Sequence, residues 1–262
     1  MVTTYTDLIR YRELFGSLWR RDLESKYKGS LLGVLWVLIP PLVLMGVYLF
    51  VFHYMWRTTQ VSYYPLYLLA GLAPWVFFAT SLQAGAGAMV NAAPLIRKTR
   101  FPRQLTAFAV VGTNLITFLV MLAIVLVLCL VFIPSSRDVA WLSVPVALLF
   151  ACFTAGLVLA AATLNVLFRD VEPFVGSLLL PWFFLTPIIW EESFFPGHET
   201  LKDVLYWANP LTPPLEAFRD PLWAGTAPRL GDVVYLVGAA ALSLLFGAWV
   251  FSRVDDRIAV EL

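Results

Sequence analysis

Charge is scarce in this sequence. Asp, Glu, Lys and Arg make up 13% of 262 residues, against about 25% in soluble domains. The formal net charge is +1, so there is no basic footprint for a nucleic-acid partner. Cysteine and histidine number two each. Cys129 and Cys152 both lie in apolar runs and show no disulfide or metal-ligand spacing. His53 and His198 are isolated. The sequence holds no G-x-x-x-x-G-K-[ST] phosphate loop, dinucleotide fingerprint, HExxH or GxSxG. No loop between the apolar runs is large enough for an enzyme domain. The chain is therefore expected to be no enzyme and to carry no cofactor. A signal peptide is not expected either, because Glu13, Asp22 and Glu24 precede the first apolar run and no small-residue cleavage site follows it.

What fills the space is apolar: 60% hydrophobic residues and a mean hydropathy of +0.81. This is the composition of an all-α integral membrane protein. Charge-free runs cover Gly29–Trp56, Thr58–Ile96, Gln104–Ser136, Val139–Phe168, Pro173–Trp190 and Val233–Ser252. A spanning helix needs about 20 apolar residues. Thr58–Ile96 is the longest run, yet its ends are polar or broken by glycine and Pro94, leaving one span. The expected spans are 31–53, 63–83, 105–133, 140–168, 173–190 and 232–252. Six spans put both termini on one side. Segments sharing that side hold 13 of the 18 basic residues and the other side 5, so the termini are expected in the cytoplasm.

Residues 5–28 carry a further pattern. At 100° per residue, Leu8, Tyr11, Leu14, Phe15, Leu18, Trp19 and Leu23 share one arc. Arg10, Glu13, Ser17, Arg20, Arg21 and Glu24 share the opposite one, with Arg12 and Asp22 as exceptions on the apolar side. Such a helix lies in the membrane interface with its charges in water; a plain positively charged flank is the competing reading. Pro40 and Pro41 then interrupt the first span and free the carbonyls of Trp36 and Val37. Before the last span, residues 194–224 are apolar but punctuated by Asn209-Pro210 and Thr212-Pro213-Pro214. Helical spacing of Leu201, Val204 and Leu205, then of Leu215, Phe218 and Leu222, predicts two short helices. They either dip into the outer leaflet or rest on it as a cap. The loop 94–104 holds Arg97, Lys98, Arg100 and Arg103 around Phe101-Pro102, with no acid.

Four stretches together resemble the membrane subunits of type-2 ABC exporters, and among these the exporters of O-antigen, capsule and teichoic acid. They are "LWRRDLESKYKGSLLGVLWVLIPPLVLMGVYLFVF", "LIRKTRFPRQL", "LNVLFRDVEPFV" and "WANPLTPPLEAFRDPLW". The resemblance implies a homodimer of this chain with two copies of a separate ABC ATPase subunit, which would bind ATP and Mg. It implies that the N-terminal segment is an interface helix, with Arg20 and Arg21 among the residues that dock the ATPase. Segment 94–104, with Arg97, Lys98, Arg100, Phe101 and Arg103, would be the coupling segment on the ATPase. Spans one and five would line the dimer and the path, and Leu201, Val204, Leu205, Leu215 and Phe218 would belong to external gate helices.

The cargo so implied is a lipid-linked glycan, carried across a bacterial cytoplasmic membrane. Flat aromatic rings cover sugar C–H faces and tolerate sliding. Tyr48, Phe52, Trp182, Phe183 and Trp190 lie on spans one and five and are the candidate path residues. Lipid-belt or packing roles compete for each of them. A small lipophilic drug or a lipid is the alternative cargo for the same machine. An ATP-independent channel or carrier fits less well, since acidic residues are absent from the middles of the spans.

Overall fold

The computed structural model describes residues 2–27, 39–48, 50–51, 62–98, 102–190 and 199–261. Among these, every regular element is a helix. The helices are α1 (Val2–Arg10), α2 (Arg12–Tyr27), α3 (Ile39–Tyr48), α4 (Tyr64–Ala86), α5 (Ala88–Asn91), α6 (Ala93–Lys98), α7 (Gln104–Phe132), α8 (Ser143–Leu167), α9 (Val171–Leu185), α10 (Glu199–Ala208), α11 (Thr212–Arg219) and α12 (Leu230–Glu261).

Among the described residues, four helices are long and apolar enough to cross a bilayer: α4, α7, α8 with the turn before it, and α12. The first expected span lies largely outside the described residues; α3 covers part of it. The fifth differs from its expected bounds of 173–190. It is a helix of 15 residues ending at Leu185, roughly 22 Å at 1.5 Å per residue. Pro187 supplies the reason. A residue before proline is pushed out of the helical region, and Thr186 is extended, with φ −97° and ψ 136°.

The bundle is centred on α4. Of its most apolar window, 78% is buried in protein, against 33% for α7 and α12. Large rings fill the space around it. Phe77 stacks on Phe118 of α7 at 4.9 Å, and Phe78 stacks on Phe153 of α8 at 6.2 Å. In lipid, helix association relies on close packing more than on the hydrophobic effect, and small residues permit it. The α8–α12 crossing uses that device. A Cβ on Gly156 would collide with the backbone of Ser243 and Leu244, and one on Gly247 with the carbonyl of Gly156. The glycine-rich end of the second apolar run has the same use. α4 continues through Gly85 because Val158 of α8 leaves no room there for a side chain. The chain then descends in short steps through α5 and α6.

The N-terminal helices fold against this bundle. α1 and α2 are nearly continuous, joined by the bond from the Tyr11 amide to the Asp7 carbonyl. The arc seen in the sequence meets protein: Leu14, Phe15, Leu18 and Trp19 pack on Leu105 and Ala109 of α7. Trp19 lies over Gly112, where an added Cβ would stand 3.3 Å from the indole nitrogen.

Candidate functional site

Two features follow from the short α9: an unwound segment behind it and an aromatic seam along it. Leaving the helix at Leu185 strips backbone carbonyls of their helical partners. Such groups cannot stay unsatisfied away from water. Side chains from three elements take them up. Trp190 donates its indole N–H to Phe184 O at 2.9 Å. Asn209 donates to Leu185 O at 3.3 Å and Arg219 to Pro187 O at 2.7 Å. Tyr64 and Tyr67 of α4 donate their hydroxyls to Ile189 O at 2.9 Å and Trp190 O at 2.7 Å.

Asn209 and Arg219 do more than cap. The Asn209 amide also donates to Thr186 Oγ1 at 2.9 Å, while its oxygen accepts from Trp182 Nε1 at 2.9 Å and from the Leu211 amide at 3.1 Å. One side chain thus joins α9 to the start of α11. Arg219 is 1% exposed. Its guanidinium lies 3.9 Å from the Tyr67 ring centroid and pairs with Glu216 at 2.7 Å. From the sequence, Arg219 carries no expected role beyond lying in the second of the two short helices. Its one signal was helical spacing: Leu215, Phe218 and Leu222 share its side of the chain with the core.

The seam uses the candidate path aromatics. Tyr48 of α3 stacks on Phe183 of α9 at 5.8 Å, and Phe183 meets Trp75 of α4 at 5.3 Å. Trp182 sits edge-on to Phe78 at 5.4 Å. Phe183 is buried, and Tyr48, Trp182 and Trp190 are half-buried; Phe52 lies outside the described residues. These rings hold helices together within one chain. The large side chains left exposed beside them are Phe174, Leu178 and Phe184 on α9, and Val43, Val47 and Phe50 on and after α3.

The expected gate residues divide. Leu215 and Phe218 are buried, with Phe218 against Phe118 of α7 at 5.6 Å. Val204 is exposed and Leu205 half-buried on α10; the Leu201 side chain lies outside the described residues. A π-helical turn, Asp220–Ala224, follows α11 and ends at Gly225 in the left-handed region, φ +67°, where a Cβ would strike Ser135. Burial pushes the Asp220 carboxyl up to about 6, reinforced by the nearby Asp232 and opposed by Arg229. Burial, with a hydrogen bond to Asp232, also raises the Tyr206 hydroxyl.

The other end of the bundle carries the expected docking residues. Arg103 pairs with the Asp255 carboxylate at 2.9 Å and also bonds its carbonyl, tying the start of α7 to α12. Gln104 donates to Asp7 Oδ2 at 2.9 Å. Arg20 is exposed and pairs with Glu24 at 3.0 Å. Arg21 lines a cavity of about 460 Å³ between α2 and the bundle. Arg97 and Lys98 lie on α6, with side chains outside the described residues, as are Arg100 and Phe101. Among the described residues, no three of His, Cys, Asp and Glu gather as a metal site would require. Cys129 is buried and Cys152 exposed, both as free thiols.

Comparison with known proteins matches residues 13–223 to the ABC-2 type transporter family. The chain is 32% identical to the O-antigen export system permease protein RfbA of Myxococcus xanthus, over 98% of this chain and 96% of that protein. Identity to a Klebsiella pneumoniae protein of the same name is 29%, over 94% of each chain. The polysialic acid transport protein KpsM of Escherichia coli is 23% identical, over 92% of this chain and 93% of its own length. With a family match across most of its length and a relative this similar end to end, the chain belongs to the ABC-2 type transporter family.

Proposed function

We propose that this chain is the membrane subunit of an ATP-driven exporter that moves a lipid-linked polysaccharide across the cytoplasmic membrane. The observation that carries the reading is end-to-end similarity to an O-antigen export permease, at 32% identity over 98% of the chain. The family implies a separate ABC ATPase, and ATP and Mg belong to that partner.

Two copies would form the path. The exposed apolar stripe of Phe174, Leu178 and Phe184 on α9 beside Val43 and Val47 on α3 supports a second copy covering α3 and α9. The end bearing α2, α6 and Arg103 is the cytoplasmic, ATPase-facing one, as the basic-residue asymmetry requires. The α10–α11 end is then external and shapes the exit. ATPase closure would push on α2 and the 94–104 segment, and α7 would carry that movement into the bundle. The exposed rings of Phe174 and Phe184 on α9 support a path that tolerates a sliding sugar chain.

The test is genetic and chemical together. Cells lacking this chain should lose surface glycan and accumulate the lipid-linked glycan at the inner leaflet. The full chain should co-purify with its ATPase. Normal surface glycan with heightened drug sensitivity would instead favour the alternative cargo, a small lipophilic compound.

A further inference from the structure

We propose that the cavity beneath α2 binds the headgroup of an amine-bearing phospholipid, its phosphate at Arg21 and its ammonium at Glu172. The cavity, about 460 Å³, is lined by Arg21 and Asp22 of α2, Asn91 of α5, Thr106 and Asn114 of α7 and Glu172 of α9. Its size falls within the usual range for small-ligand sites. Leu18 and Val110 give it an apolar wall.

Three observations select the ligand. The first is unpaired charge of both signs. Among the described residues neither Arg21 nor Glu172 has an ion-pair partner. Among the described residues, Asn165 Nδ2 stands 3.5 Å from the Glu172 carboxylate. Opposite charges on one cavity suit a ligand carrying both: Glu172 is half-buried, and Arg21 reaches the cavity from its exposed rim. The second is that the anionic end is built. The Glu172 amide donates to Asn165 Oδ1 at 3.1 Å, fixing the start of α9. Gly87 leaves room below it: a Cβ there would stand 2.8 Å from Glu172 Oε2 and 3.0 Å from Asn91 Nδ2. Glycine thereby lets the carboxylate and the amide converge on the same space. The third is depth. Asn114 lies ten residues along α7 from Gln104, roughly 15 Å at 1.5 Å per residue. The cavity thus runs from the polar surface into the acyl border, where a headgroup and glycerol sit.

An ammonium with three N–H donors satisfies Glu172 and Asn91, while Arg21 takes the phosphate oxygens as a charge-assisted pair. A choline headgroup has no N–H to donate. A glycerol headgroup or a polyprenyl phosphate has no cation, so its negative charge would enter beside two carboxylates.

The test reconstitutes the purified full chain in nanodiscs with equal parts of phosphatidylethanolamine, phosphatidylcholine and phosphatidylglycerol. Native mass spectrometry of the released protein then counts retained lipid. The ethanolamine lipid should be held in preference to both others. Removing a hydrogen bond to a charged group costs roughly tenfold or more in affinity, so Glu172→Gln should lower its retention by about that factor, while Glu172→Asp keeps most of the preference. Should Glu172→Gln fail to fold, Arg21→Gln on the exposed side of α2 decides, because it should weaken retention of the ethanolamine lipid while leaving the melting temperature unchanged. Equal retention of the three lipids, no retained lipid, or an unchanged preference in the decisive variant overturns the proposal.

Discussion

At the scale of single residues, the α10–α11 end of the bundle depends on a few polar side chains that replace helical hydrogen bonds. Arg219 is the most committed of them, since its guanidinium serves Pro187 O, Glu216 and the Tyr67 ring together. Arg219→Met keeps the bulk but removes the close donor to Pro187 O and the ion-pair partner of Glu216. Breaking a buried pair by removing one partner costs about 3–5 kcal/mol. The variant should show a clearly lower melting temperature in detergent. Arg219→Lys should recover only part of the loss, because a point charge cannot reproduce the planar fork and the ring contact. Equal melting of both variants and the parent would refute this role. Asp220 adds a pH dependence of definite sign. Its carboxyl is raised to about 6 from an ordinary 3.8, so the folded state binds its proton more tightly than the unfolded one. Stability from this group therefore falls as pH rises from about 4 to 6, by no more than about 3 kcal/mol. Asp220→Asn should flatten that slope and melt higher than the parent at pH 8; an unchanged slope would count against the buried carboxyl.

At the scale of elements, the junction of α2 with α7 is the contact through which the proposed coupling would act. It is thin: Leu18 buried against Leu105 and Ala109, and Trp19 over Gly112. Gly112→Leu puts a branched side chain where a Cβ already stands 3.3 Å from the indole. The spans keep their apolar character, so membrane insertion should be normal. A disulfide between cysteines at Leu18 and Ala109, which share one buried cluster, would report the loss of docking by forming less readily in the Gly112→Leu background, and transport should fall with it. Undiminished cross-linking would show that α2 tolerates the bulk. The elements themselves were largely legible in advance. Charge-free runs and helical spacing marked the four long spans and the short helices α10 and α11, because both signals are local. What they could not show is where α9 would stop and what would satisfy it. Pro187 marks the break, but its partners Tyr64, Tyr67, Asn209 and Arg219 come from positions up to 125 residues away. Asn209-Pro210 read as punctuation between helices, since a side chain that joins α9 to the start of α11 leaves no periodic trace. Asp22 looked like an error on the apolar arc of α2; it faces a polar cavity.

At the scale of the whole molecule, the proposed second copy is expected to cover α9 rather than α7, two of the apolar surfaces that the described residues leave open. On α7, Val127 and Val131 are 60% and 61% exposed; on α9, Leu178 and Phe184 are 42% and 52% exposed. Composition does not separate them, because lipid covers either face equally well. The difference lies in length and continuity. α7 runs for 29 residues, roughly 43 Å, and satisfies its own backbone within lipid. α9 covers roughly 22 Å and gives way to the non-helical residues 186–190. Non-helical backbone at membrane depth is tolerated where protein or a water-filled cavity surrounds it. The chain's own Tyr64, Tyr67, Asn209 and Arg219 meet that requirement for residues 186–190; the proposed second copy would cover the exposed side chains of the short α9. Single cysteines at Leu178 and Phe184 should therefore cross-link two full-length chains in native membranes, with short bifunctional thiol reagents. Cysteines at Val127 and Val131 should remain monomeric under the same treatment. A Cys152→Ser background removes the exposed native thiol. Dimer formation through the α7 positions and none through α9 would place the two copies back to back, with the short helix facing lipid, and the proposed path would have no walls.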